Sequence, residues 1–211
     1  LAFNFGPSDE LIETNPYHGL RVYQDEKELK YTYYDTNNPT TPTDIVSTVV
    51  VGGTTYFLSV FKGLFSYDGA FTSFVDSKVW DEEKLRHSTP YGKGLAISNE
   101  AGDVFVIDET SGGFEIVEKI SRKEIRGNAL LFLDHYKEWL IIATEKGITF
   151  YNGEKQIFIN EEQGILHPVY ASSVQNDMLF LASDNGNYEV DLKKLLTTLD
   201  KIATVFISKI T

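Results

Sequence analysis

The stretches LIETNPYHGLRVY (11–23), TYFLSVFKGLFSY (55–67), GLAISNEAGDVFV (94–106), WLIIATEKGITFY (139–151) and MLFLASDNGNYEV (178–190) decide how this chain folds. They align without a gap over thirteen positions, and the ninth is glycine in each: Gly19, Gly63, Gly102, Gly147 and Gly186, at steps of 44, 39, 45 and 39 residues. A self-similar period of about 40 to 45 residues built from strands is the sequence sign of β-propeller blades.

The columns of this alignment have a physical reading. Seven residues before the glycine stand Ile12, Tyr56, Leu95, Leu140 and Leu179, and four before it the shorter Asn15, Ser59, Ser98, Ala143 and Ala182. Runs such as WLIIA and MLFLA are apolar throughout, as expected of strands covered on both faces. Short side chains then suit close approach of the next blade. The glycine serves a tight turn that needs positive φ at one position. Tyr23, Tyr67 and Tyr151 end the strand that follows, and Asp68-Gly69 and Asn152-Gly153 are hairpin signals leading to outer strands at Phe71–Val75 and 155–159. Further strands lie upstream at Ile45–Val51, 129–133 and 169–174, which makes four strands per unit in meander order.

A chain of 211 residues with 42% hydrophobic residues can bury one substantial core, and repeats that cannot cover their own faces must stack on one another. The expectation is an all-β propeller of about five four-stranded blades in residues 1–192, with 193–211 a linker and strand leading to a following domain. The first unit reads as short of an innermost strand and the last as lacking an outer one. Ragged ends and the missing initiator methionine read as a piece of a larger propeller; a small ring closed by its terminal strands is the alternative. The net charge of −12 argues against nucleic acid and against an anionic membrane surface as partners. No run approaches the roughly 18 apolar residues of a membrane span. With no cysteine there are neither disulfides nor thiolate metal sites.

GLFSYDGAFTSF (63–74) and the long stretch from Gly147 to Asp191 resemble the two-component-regulator propeller repeat, with its Gly-Leu, Tyr-Asp-Gly and outer strand. EEQGILHPVYASSV (161–174) is similar to that family's linker between blades, and ATVFISKIT (203–211) to the opening strand of the triple-tyrosine, immunoglobulin-like domain that follows such propellers. The likeness covers most of residues 9–211. Asp103, where other units have Leu or Ile, and Asn187, with no Tyr-Asp-Gly after it, depart from the pattern. The resemblance implies the periplasmic sensor region of a membrane-anchored bacterial receptor, often a hybrid histidine kinase that detects glycan breakdown products. It implies a small-molecule or oligosaccharide ligand, a homodimer, no cofactor, and no enzyme activity in this region, the kinase lying elsewhere in the full-length protein. A scaffold propeller with a protein partner and a propeller glycan lyase or hydrolase are the alternatives.

Ligand-contact residues follow from propeller geometry, in which the loop between second and third strands and the loop joining blades emerge on one face. The first kind supplies Tyr17, His18, Lys62, Glu100, Lys146 and Asn185; the second supplies the insertion 76–93 with Trp80, Arg86, His87 and Tyr91. Trp and Tyr can stack on sugar rings while Arg and carboxylates bind hydroxyls or an acidic group. Packing of Trp80 beneath its own loop and plain solvation of the charged residues explain the same pattern. The four histidines, His18, His87, His135 and His167, share no metal-ligand spacing. Ser183-Asp184-Asn185-Gly186 reads as a hairpin turn rather than a calcium loop, and Asp81-Glu82-Glu83 as a solvated acidic loop. No catalytic set and no metal site is expected.

Overall fold

A computed structural model describes residues 2–5, 11–15, 19–24, 27–33, 44–67, 71–75, 84–110, 113–165, 169–184 and 186–199. The fold is a β-propeller, and the described residues form five antiparallel meander sheets. The first holds β1 (Ala2–Phe5), β2 (Leu11–Asn15), β3 (Gly19–Gln24) and β4 (Lys27–Tyr33), and the second β5 (Ile45–Val51), β6 (Thr54–Ser59), β7 (Gly63–Tyr67) and β8 (Phe71–Val75). The third is β9 (Leu85–Tyr91), β10 (Gly94–Asn99), β11 (Val104–Thr110) and β12 (Gly113–Ile120); the fourth is β13 (Leu130–Tyr136), β14 (Trp139–Thr144), β15 (Gly147–Tyr151) and β16 (Gln156–Ile159). The fifth has β17 (Val169–Gln175), β18 (Met178–Ser183) and β19 (Gly186–Asp191), and α1 (Leu192–Leu199) follows it.

Two expectations change. The first blade has its innermost strand, because β1 pairs with β2 from Ala2 opposite Thr14 to Phe5 opposite Leu11. Residues 193–199, read as linker, are helical together with Leu192: Leu192, Leu195 and Leu196 recur on one stripe, and the Asp191 carboxylate accepts from the Lys194 amide at 2.8 Å, an N-cap. ATVFISKIT lies outside the described residues.

The chain forms two compact units, Leu1–Glu100 with Phe105–Glu118, and Ala101–Val104 with Lys119–Thr211. In the first unit β1 lies beside β5 and β5 beside β9, so successive sheets meet along their first strands. Ile12, Val22, Ile45, Phe57 and Phe65 fill one inter-sheet layer, and Tyr56, Leu58, Leu64, Leu85, Leu95, Ile97 and Phe105 the other. In the second unit β13 lies beside β17, and Ile141, Ala143, Ile148 and Phe150 pack onto Leu179, Leu181, Tyr188 and Val190. Each Leu, Ile or Phe among them contributes about 1.5–3 kcal/mol when fully buried. All six residues of β14 are buried, as expected from WLIIA, whereas β18, read from MLFLA as covered on both faces, leaves Phe180 and Ala182 exposed.

Turn length corrects the gapless alignment. Three residues join β6 to β7 and Ser59 faces Gly63, whereas two join β14 to β15 and Thr144 faces Gly147. Asn15 faces Gly19 as in the second sheet, and Ser183 faces Gly186 as in the fourth. A slip of one residue turns every side chain to the other face. Tyr56 and Leu140 thus share a sequence column but not a structural one, since Tyr56 pairs with Ser66 and Leu140 with Tyr151. In the third sheet Gly102 lies in the turn itself. Asp103 beside it accepts from the Arg122 amide at 2.8 Å and pairs with Lys119 at 3.0 Å, which accounts for an acid where other units carry Leu or Ile.

Candidate functional site

Four first strands carry one extra residue near their start. Ile45 faces Ser59 but Ser47 faces Leu58; Leu85 faces Asn99 but His87 faces Ser98; Leu130 faces Thr144 but Phe132 faces Ala143; Val169 faces Ser183 but Ala171 faces Ala182. The bulged residues are Val46, Arg86, Leu131 and Tyr170. A bulge of this kind re-aims a side chain and raises local twist, and bulges cluster beside functional sites.

Beside each bulge stands the first residue after the second strand: Val60, Glu100, Glu145 or Asp184. The Val60 amide donates to Asp44 at 3.0 Å, Glu100 to Lys84 at 2.6 Å and Glu145 to Ala129 at 3.4 Å, so turn and incoming connection are tied blade after blade. Side chains reinforce the tie. The Arg86 guanidinium donates to Glu100, and Lys84 lies 3.5 Å from the same carboxylate. Hydrogen bonding from Arg86 holds the Glu100 carboxyl below its usual pKa. Tyr170 donates its hydroxyl to Asp184 at 2.9 Å. Glu145 accepts from the Asn128 amide at 2.7 Å and the Ala129 amide at 2.8 Å. Burial works against the charged Glu145, but the Ala129 and Asn128 amides win and its pKa is lowered.

Of the residues expected from sequence, Lys62 and Arg86 fall at this corner of the first unit. Lys62 sits in the turn after β6 with its amide on Ser59 Oγ at 3.3 Å. That turn reaches β9 through the Leu85 amide, which donates to Val60 at 3.1 Å. The neighbouring Phe61 is 57% exposed, with Lys84 Nζ 5.8 Å from its ring centroid. His87 follows the bulge, half-buried, and burial aided by Arg86 lowers its pKa to about 4, so it is neutral at neutral pH. Lys146 occupies the corresponding turn of the fourth blade, in the second unit, with its amide on Thr144 Oγ1 at 3.3 Å. Tyr91 is not at this end of its sheet. Residues 85–91, read as part of an inter-blade loop, form β9, and Tyr91 closes it opposite Gly94 at the far hairpin. Pro90 is accommodated because β9 is an edge strand, where a missing amide hydrogen is tolerated. Tyr17, His18, Trp80 and Asn185 lie outside the described residues. Sequence reasoning missed Tyr170 and Phe61, whose signal was a large aromatic beside a turn.

The most triad-like grouping is not arranged for catalysis. Ser172 Oγ donates to Asp134 Oδ2 at 2.9 Å, while His135 Nδ1 lies 3.9 Å from Asp134 Oδ1. The hydroxyl donates to the carboxylate directly, whereas a triad has the imidazole take the hydroxyl proton and the carboxylate orient the imidazole. Among the described residues no group of three or more His, Asp or Glu side chains is placed to hold a metal ion, and no helix is long and apolar enough to cross a membrane.

No protein-family model and no curated protein matches the sequence. Solved structures do. The extracellular domain of the hybrid two-component system BT3049 from B. thetaiotaomicron matches with TM-score 0.56 and 13% identity, covering 92% of this chain and 33% of that one. The corresponding domain of BT4673 from the same organism matches with TM-score 0.62 and 15% identity, covering 89% and 25%. XC5397, a gluconolactonase from Xanthomonas campestris, matches with TM-score 0.62 and 9% identity over 86% and 68%. The chain thus spans a third and a quarter of the two extracellular domains it resembles. At these identities the likeness establishes the propeller fold.

Proposed function

We propose that this chain is a ligand-sensing region of a bacterial signalling receptor, exposed outside the cytoplasm, that takes a small ligand, foremost a carbohydrate, on the end of the blades where the bulged first strands meet the turns. The observation that carries this reading is constancy of backbone with variation of side chain: one bulge, in four blades, presents Val46, Arg86, Leu131 and Tyr170. A repeated scaffold that varies only what it displays at one fixed position is suited to recognition, as are loops held by a rigid frame. Extracellular domains of hybrid two-component systems among the similar structures support the same role and place. Periplasmic location, pairing of two chains and a kinase elsewhere in the protein belong to this reading.

Sensing requires that ligand favour one arrangement of receptor over another, and a shift from 1:99 to 99:1 needs about 5.5 kcal/mol of differential affinity. A thermal-shift screen against neutral and acidic oligosaccharides tests the binding half of the idea, since ligand at 100 times Kd adds about 2.7 kcal/mol of stability. A melting temperature that no oligosaccharide raises overturns it. The likeness to a gluconolactonase favours a second reading, a sugar-processing enzyme. Against that stands the corner chemistry, where Glu100, Glu145 and Asp184 are all engaged in hydrogen bonds rather than set as an acid and base pair.

A further inference from the structure

The corner between the second and third sheets carries side chains that the scaffold does not require. Flanking the first residue of the first strand, the third sheet has Lys84 and Arg86, where the second has Asp44 and Val46 and the fourth Ala129 and Leu131. The turn after the second strand reads Val60-Phe61-Lys62 in the second sheet and Glu145-Lys146 in the fourth. The backbone is fixed by its buried residues alone: Val60 and Leu85 are both in the core, and the Leu85 amide donates to the Val60 carbonyl at 3.1 Å. Phe61, Lys84 and Arg86 branch from that same anchored backbone and keep much of their side chains in water. Both sheets are complete, with four strands each, and residues 60–62, 84–86 and 100 belong to one compact unit.

The chemistry displayed there is aromatic and cationic. Lys84 Nζ lies 3.5 Å from the Glu100 carboxylate and 5.8 Å from the centre of the Phe61 ring, and Arg86 donates to the same carboxylate. Among the described residues of the corner three cations, Lys62, Lys84 and Arg86, stand against two carboxylates, Asp44 and Glu100, in a chain whose net charge is −12. Glu100 holds Arg86 in place, yet the planar guanidinium fork has more N–H donors than this one carboxylate takes up. A fork ordered in advance suits a second anionic group. The exposed ring beside it suits the C–H face of a sugar. A neutral sugar would use the ring and leave the cations unanswered, and a bare anion would do the reverse. A long polyanion is repelled by the acidic remainder of the surface.

We infer that the corner formed by Phe61, Lys84 and Arg86 is a subsite for an acidic sugar residue, a ring bearing one carboxylate or sulfate, within a short saccharide. This rests on the sensing role proposed above and specifies what that end of the blades reads.

Calorimetric titration with acidic sugars, each beside its neutral counterpart, tests it: cellobiouronate with cellobiose, digalacturonate with galactobiose, and glucose 6-sulfate with glucose. At least one acidic member should bind about tenfold tighter than its counterpart, the gain expected for one charge-assisted hydrogen bond, and the three pairs separate carboxylate from sulfate. Its advantage should shrink as ionic strength rises from about 0.01 M to about 1 M, over which the screening length falls from about 30 Å to about 3 Å. Lys84→Gln and Arg86→Gln should each remove most of the acidic preference, and Phe61→Ala should weaken both members of the pair alike, all with an unchanged melting temperature. Equal binding of acidic and neutral members overturns the inference and leaves the sensing role standing. So does an acidic preference that survives in both glutamine variants, because the anion is then read elsewhere. If none of the six sugars binds while another oligosaccharide raises the melting temperature, the inference falls alone; if no saccharide does either, both ideas fall.

Discussion

Tyr170 and Arg86 occupy one place in two different blades. Each is the extra residue of a bulged first strand, and each is tethered to the carboxylate that begins the turn after the second strand, Tyr170 to Asp184 at 2.9 Å and Arg86 to Glu100. Both side chains remain substantially exposed, Tyr170 at 53%. A tethered side chain loses less freedom when it meets a ligand, because its ordering has been met in the free protein.

Tyr170→Ala and Arg86→Ala should therefore leave the melting temperature unchanged and reduce the thermal shift caused by any ligand bound at this end of the blades. Tyr170→Phe separates ring from tether, since it keeps the aromatic surface and frees it from Asp184. An intermediate ligand shift is expected. Full ligand response in both alanine variants would show that the bulges serve the backbone alone.

The glycine at the hairpin is required by contact as well as by φ. Gly147 has φ 145°, and a Cβ there would run into the carbonyl oxygen of Ile159 on the neighbouring strand. Gly53, at φ 82°, has open space around the same position. Gly53→Ala should cost about 1 kcal/mol, the strain of a left-handed residue alone. Gly147→Ala should cost about 3 kcal/mol or more, because β16 must also move. Urea denaturation of the two variants measures the difference.

Much of this was legible before any coordinates. Apolar runs such as WLIIA announced strands covered on both faces, and Asn152-Gly153 announced the hairpin to β16, because burial and turn chemistry are local properties of a repeat. Register was not legible. A turn of three residues after Ser59 and of two after Thr144 both place a glycine at the hairpin, and only cross-strand pairing tells them apart. The bulges escaped for a related reason, since an extra residue in one strand has no signature apart from its partner. Residues 85–91 read with the insertion 76–93 because their mixed sequence, LRHSTPY, lacks the apolar run of a covered strand, and β9 is an edge strand of its sheet. Phe180 gave no warning either, for its neighbours in sequence match the buried strands of other blades.

His87 makes stability depend on pH. Burial, with Arg86 beside it, lowers its pKa from 6.5 to about 4 in the folded protein. Between these values the unfolded chain binds the proton and the folded one does not, so stability rises with pH through this window and is lost as pH falls from 6.5 toward 4. The loss is on the order of 3 kcal/mol over the whole window. His87→Leu should flatten that limb of a stability profile measured by urea denaturation at successive pH values. A histidine titrating near 6.5 by proton NMR in the folded parent protein, and shown to be His87 by its absence from the variant, would contradict this.

Ile141 and Phe180 hold equivalent places on the fourth and fifth sheets, so their truncation compares a buried side chain with a partly exposed one. Ile141 is wholly buried, and Ile141→Ala should cost about 2–5 kcal/mol through lost transfer energy and the cavity left behind. Phe180 gives up less on truncation because part of its ring already meets water; Phe180→Ala should cost about 1 kcal/mol at most. Urea midpoints read at equal slope give both numbers. Equal losses would mean that something covers Phe180 in solution, whether a second chain or a further blade. Unequal losses mean that the ring of Phe180 is less covered than the side chain of Ile141.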